Sequence, residues 1–126
     1  MTYTRHTSRS AAEVETRLRE AAVSHKFGIL NVLDIKETLK AKGIDFETPC
    51  RIYDVCNPQA AAAALAADLR ISTVLPCRIS VFADGDGCTI ATVKPTDLLR
   101  TTGLPGVEEL AAHIEKEIVA MIEEAA

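Results

Sequence analysis

The sequence predicts an α+β fold: a two-layer sandwich of one mixed or mostly antiparallel sheet with helices packed on one face, in the order β-α-β-α-β-α-β-β-α. Three observations predict it. Strand-like runs rich in Val, Ile and Thr alternate with runs opened by good helix caps. The turn Asp84-Gly85-Asp86-Gly87 joins two such runs as a hairpin. The last stretch carries a single apolar stripe at helical spacing.

Each element has its own signal. Residues 2–7, rich in Thr with Tyr3, read as a short strand. Ser10 and Glu13 form a capping box, and the helix they open sets Val14, Leu18 and Ala21 or Ala22 on one side. It ends near His25. Phe27 to Leu33 is a strand, apolar on both faces. Asp34 and Glu37 repeat the capping pattern before a short helix with Ile35 and Leu39 inward, which Gly43 stops. Thr48 to Cys56 is the third strand. Asn57 is a good N-cap and Pro58 a good first helical residue, because its missing amide hydrogen would have been unpaired there anyway. The following Ala60 to Ala67 run is a helix of small side chains, able to lie close to a sheet. Leu75 to Ala83 alternates, with Leu75, Cys77, Ile79 and Val81 on one side, and Cys88 to Lys94 returns. Pro95 ends that strand, and Asp97 and Arg100 fall in a loop. Leu104-Pro105-Gly106 precedes the final helix, striped by Val107, Leu110, Ala111, Ile114, Ile118, Met121 and Ile122.

A chain of 126 residues suits one domain over 1–126 with a single core. It has no Trp, and its aromatics are Tyr3, Phe27, Phe46, Tyr53 and Phe82, so the core must come from Val, Ile, Leu and Ala. The second sheet face is not plainly polar. Depending on register it exposes Leu30, Val32, Tyr53, Val55 and Phe82, which makes it a candidate homodimer interface or ligand cavity.

Net charge is −4 and the basic residues are scattered, so nucleic-acid binding is not expected. No apolar stretch reaches the ~20 residues that span a bilayer, and Met1 to His6 lacks the apolar heart of a signal peptide. The expected location is the cytoplasm, with no membrane partner. The four cysteines are spaced by 6, 21 and 11 residues without any C-x-x-C pair. That pattern fits neither a zinc site nor a thioredoxin-type motif, and free thiols are the default in a reducing compartment.

Two of those thiols sit at structural joints. Cys56 lies in Val55-Cys56-Asn57-Pro58, where a strand hands over to a helix, and the helix amides there favour a thiolate. Its acidic neighbour Asp54 opposes this, and packing as a small hydrophobe is the plainer role. Cys77 lies in Leu75-Pro76-Cys77-Arg78, and its alternation with Ile79 and Val81 turns it to the core, where a thiol is inert. Pro76 marks a strand start or edge. Should Cys56 end one strand and Cys77 begin its neighbour, the sulfurs converge, which suits a soft metal or a reversible disulfide. His6, His25 and Cys88 are candidates for a third ligand. His113 lies beside the final stripe. Asp84 and Asp86 imitate the start of a calcium loop, but the later ligands are missing and a hairpin turn accounts for them.

The same residues carry a resemblance. Val55-Cys56-Asn57-Pro58 before an alanine-rich helix, then Leu75-Pro76-Cys77-Arg78-Ile79-Ser80-Val81, Asp84-Gly85 and Pro95, resemble the bacterial and archaeal family called domain of unknown function 302, from about Tyr3 to Ile122. The resemblance implies a compact α+β sandwich that forms homodimers, with Cys56 and Cys77 as the matching thiols and no established activity. Cys50 and Cys88 fall outside the pattern. Lys26 stands where relatives often have Gly.

Three functional classes follow. The favoured one is a small dimeric protein that holds an apolar ligand or soft metal near Cys56, Asn57, Pro58, Pro76 and Cys77. The second is a thiol redox or sulfur-handling protein with Cys56 reactive and Cys77 its partner. The third is a structural or regulatory dimer whose cysteines only pack. A classical enzyme is the least expected, because no catalytic constellation is present. No particular cofactor is implied.

Overall fold

Side-chain caps set the helix starts. The Ser10, Asp34 and Asn57 side chains accept from the amides of Glu13, Glu37 and Ala60 at 3.2, 3.1 and 3.1 Å. In the computed structural model, which describes every residue from Met1 to Ala126, these caps open α1 (Ala11–Ser24), α2 (Ile35–Ala41) and α3 (Pro58–Ala67). The strands are β1 (Thr2–Thr7), β2 (Gly28–Asp34), β3 (Cys50–Cys56), β4 (Cys77–Asp84) and β5 (Gly87–Val93). They form one sheet in the order β1-β5-β4-β3-β2, and every neighbouring pair is antiparallel.

The predicted order of elements holds, with two additions. A 3-10 helix, Leu69–Val74, follows α3, and Pro95 opens a short helix α4 (Pro95–Arg100). The expected loop around Asp97 and Arg100 is therefore helical. Proline fixes the backbone angle of a first helical turn as readily as it ends a strand, and here it does both. The final helix is α5 (Glu108–Ala125). Strands β3 and β4 start two residues later than Thr48 and Leu75.

One sheet face carries α1 and α5. Tyr53, Val55, Ile79, Val81, Cys88 and Ile90 of the sheet meet Val14 and Leu18 of α1 and Ile114, Ile118, Met121 and Ile122 of α5 in one buried cluster. Tyr53 and Val55, expected among the exposed residues, are 1% and 0% exposed. Their neighbours Ile52 and Asp54 take the outer face instead, because alternate residues of a strand point to opposite sides. The buried Tyr53 hydroxyl donates to Glu15 at 2.7 Å, and Arg51 donates to the same carboxylate oxygen at 3.0 Å. These bonds hold the Glu15 carboxyl below its ordinary range.

Strand β2 is a sheet edge and is not apolar on both faces as its sequence implies. Its register with β3 shifts between Ile29 and Asn31, so Leu30 is the extra residue of a bulge and is 62% exposed. At the hairpin, Gly87 is required by close approach: a Cβ there would lie 1.9 Å from the Thr7 carbonyl of β1.

The end of α1 is a Schellman motif. The amide of Phe27 donates to Ala22 O at 2.8 Å, that of Lys26 to Val23 O at 3.1 Å, and Lys26 has φ 63°. Next to it, the His25 ring bridges Glu117 and Glu124 of α5, one on each nitrogen. Both contacts raise the His25 pKa.

Candidate functional site

Antiparallel pairing brings several chain segments to one end of the sheet. There β3 finishes, β4 starts, β5 finishes and β2 begins: Val55 faces Cys77, and Gly28 faces Cys56. Beyond that end the covering changes. In place of α1 stand α3, the 3-10 helix and α4, with the first turns of α5. Between them lies a cleft of about 310 Å³.

The walls of the cleft follow from the sequence. Ala60, Ala61, Ala64 and Leu65 of α3 form one side. Ile71, Ser72 and Val74 of the 3-10 helix form the next, and Leu98, Leu99, Leu110, Ala111 and Ile114 close it opposite. Its floor is Val55, Cys56, Asn57, Pro76 and Cys77, at the joints of β3 and β4. Alanine side chains leave the space open, and beside it Ala64, Ile71 and Val107 form a small second cluster with Leu99 and Leu110 packed against it. Of the 21 lining residues 17 are hydrophobic and none carries a charge. A volume of this order lies at the lower end of small-molecule pockets, roughly 300–1,000 Å³.

Four of the five sequence-selected residues, Cys56, Asn57, Pro76 and Cys77, line this one cleft, and Pro58 does not. Pro58 is exposed at the start of α3, and the Asn57 side chain is occupied in capping that helix. Cys56 and Cys77 are both free thiols. Burial pushes the Cys77 thiol up to about 11, and the nearby Cys56 adds to that shift. Burial also raises Cys56. Loss of water around each sulfur favours the neutral thiol over the thiolate.

The candidate third ligands lie elsewhere. Cys88 is buried in the main core, its thiol donating to Arg9 O at 3.5 Å. His6 stands near Asp84 and Thr89 on the far strand, and His25 is held by its two glutamates. No three His, Cys, Asp or Glu side chains come together in a way that suits a metal ion. His113 is exposed, and Asp84 and Asp86 flank the hairpin turn.

Sequence reasoning missed half of the cleft. Leu98, Leu99, Leu110 and Ala111 arrive from well beyond the cysteine motifs, and Ser72 from the unforeseen 3-10 helix. One signal was present: Asp68 caps that helix by accepting from the Arg70 amide at 2.9 Å.

No helix is long and apolar enough to cross a membrane. No curated protein matches the chain. Residues 3–125 match the family described as Domain of unknown function DUF302. Among solved structures, the chain is similar to an uncharacterized conserved protein DUF302 from Bacillus stearothermophilus. The two share 36% identity and a TM-score of 0.94, over 99% of this chain and 98% of that one.

Proposed function

The chain belongs to the DUF302 family, and we propose that it is a binding module for a small, largely apolar molecule held in the cleft between α3, the 3-10 helix, α4 and α5. The observation that carries this reading is the cleft itself: about 310 Å³, walled by alanines and leucines, with no charge in its lining. Such a surface gains by excluding water, at about 25 cal/mol per Å² of apolar area covered. Cys56 and Cys77 serve here as neutral, polarizable wall atoms. Their raised pKa values favour this role over thiol redox chemistry, because the protonated thiol is a poor nucleophile and a poor metal ligand.

The sheet face opposite α1 and α5 supports a second element of the reading, a homodimer. α1 and α5 lie on the other side of the sheet, and Leu33 is exposed on this face beside the half-buried Ile52 and Phe82. A second copy of the chain placed over Leu33, Ile52 and Phe82 leaves the cleft free, because these residues lie toward the other end of the strands from Cys56 and Cys77.

The test is binding of a neutral apolar probe, dodecanol, followed by calorimetry below its solubility limit. Saturable binding in the wild type and its loss in Ala61→Leu support the reading. Equal binding by both proteins, or none by either, overturns it. Light scattering of wild type and Phe82→Glu tests the dimer: two monomeric proteins would refute it.

A further inference from the structure

We infer that the ligand of this cleft is a single-chain amphiphile with a carboxylate head, its chain in the apolar cleft and its head against Arg78. The inference rests on the binding reading above and names the chemical class it takes.

Beside the cleft the surface changes character. A second depression of about 180 Å³ adjoins it and shares Val74, Pro76, Cys77, Pro95 and Leu98 with it. The two differ in character. The first has no charged residue in its lining, whereas the second includes Thr73 and Arg78. An apolar chamber opening beside a cationic one is the pattern that an apolar tail with an anionic head requires.

Arg78 is available for that role. Its Nε lies 3.4 Å from Asp54 Oδ1, and its terminal amino groups have no protein partner. Those two groups form the planar fork that matches a carboxylate. The Arg78 backbone is fixed by Thr92, whose hydroxyl donates to Arg78 O at 2.7 Å. Asp54 Oδ1 makes no hydrogen bond and faces the guanidinium on the outer sheet face as an ion-pair partner. Lys94 sits between Val93 and Pro95, both of which line the second depression, and adds a second cation to that segment. Asp97, beside Leu98 of the same lining, offsets it, so Arg78 is the one charge that the lining itself contributes.

The experiment compares three probes of one chain length: dodecanoate, dodecanol and dodecyltrimethylammonium. Each is titrated calorimetrically below its critical micelle concentration and above neutral pH, where the acid is ionised. The expected order is dodecanoate tighter than dodecanol by about tenfold, with the cation weakest; tenfold is about what one charge-assisted pair adds. The informative variant is the double substitution Asp54→Asn/Arg78→Gln. It removes both charges together and leaves no uncompensated carboxylate. In it, dodecanoate falls to the affinity of dodecanol, while dodecanol is unchanged. Dodecanol binding as tightly as dodecanoate to the wild type overturns the carboxylate assignment and leaves the cleft reading standing, provided Ala61→Leu still abolishes both. Should the double variant retain the full preference for the acid, Arg78 is not the head-group site. Failure of all three probes to bind overturns this inference together with the reading it rests on.

Discussion

The same sheet is covered in two ways. Over its middle, α1 and α5 lay Val14, Leu18, Ile118, Met121 and Ile122 onto Tyr53, Val55, Ile79 and Ile90, and these side chains are at most 1% exposed. Over its end, α3, the 3-10 helix and α4 leave about 310 Å³ unfilled. Backbone architecture is similar in both places: strands below, helices above. The difference lies in side-chain volume and helix length. A run of alanines on α3 projects little volume, and only Ala64 of that helix is buried, in a three-residue cluster with Ile71 and Val107. Close packing is the rule in protein interiors, so an apolar region that departs from it calls for an occupant. The closed region supplies stability, and the open one supplies a place to bind.

The most forceful way to break this contrast is to hollow out the closed side. Ile118→Ala is expected to cost about 3 kcal/mol, as for other large-to-small changes in a packed core. Urea unfolding should show that loss while dodecanol affinity stays the same. A variant that lost binding in proportion to stability would mean that the two regions are one unit.

Filling the open side is the reciprocal change. Ala61→Leu is expected to cut dodecanol binding at least about tenfold with a stability change within about 1 kcal/mol, because there is room for the added atoms. Overpacking in the closed core would be more costly. A large fall in the melting curve would show that the cleft is already tightly packed in solution.

At the border of the closed side, Lys26 has a positive φ that a side chain disfavours. Lys26→Gly is expected to stabilise the fold by about 1 kcal/mol, read as a shift in the urea midpoint with an unchanged slope. Destabilisation would show that the Lys26 side chain contributes contacts worth more than the strain.

The smallest expected effect concerns the tie between α1 and α5. The His25 pKa is raised in the folded state by Glu124 and Glu117. Its contribution is therefore fully present below the unfolded value of about 6.5 and is lost as pH rises through the higher folded value. For a partly exposed pair this amounts to about 1 kcal/mol or less. The difference in stability between wild type and His25→Asn should shrink over that rise in pH. A difference that stays constant with pH would assign His25 a packing role only.

How much of this was legible depended on how local the information was. The three caps at Ser10, Asp34 and Asn57 are readable because a side chain and the amide it serves lie three residues apart. The α5 stripe is readable because its period repeats over five turns. By contrast, the 3-10 helix and α4 are each six residues long, too short for a period to show. Which face Tyr53 and Val55 occupy is decided by pairing with β2 and β4, and the bulge at Leu30 shifts that register without a local signal. The cysteine joints pointed to the correct end of the sheet, since each marks a strand terminus. Nothing near them indicated that Leu98 to Ile114 would close the other wall.

The placement of β1 has a consequence for synthesis of the chain. Thr2 pairs with Val93, and α5 of the C-terminal end packs on α1 of the N-terminal one. As the chain leaves the ribosome, β1 has no strand to join until β5 has emerged, and Val14 and Leu18 stay uncovered until α5 follows. Contacts this distant in sequence are slow to close and leave apolar surface open in the meantime. The nascent chain is thus committed to waiting for its last helix, and loss of the final turns would remove Met121, Ile122 and Ala125 from the core they share with the first helix.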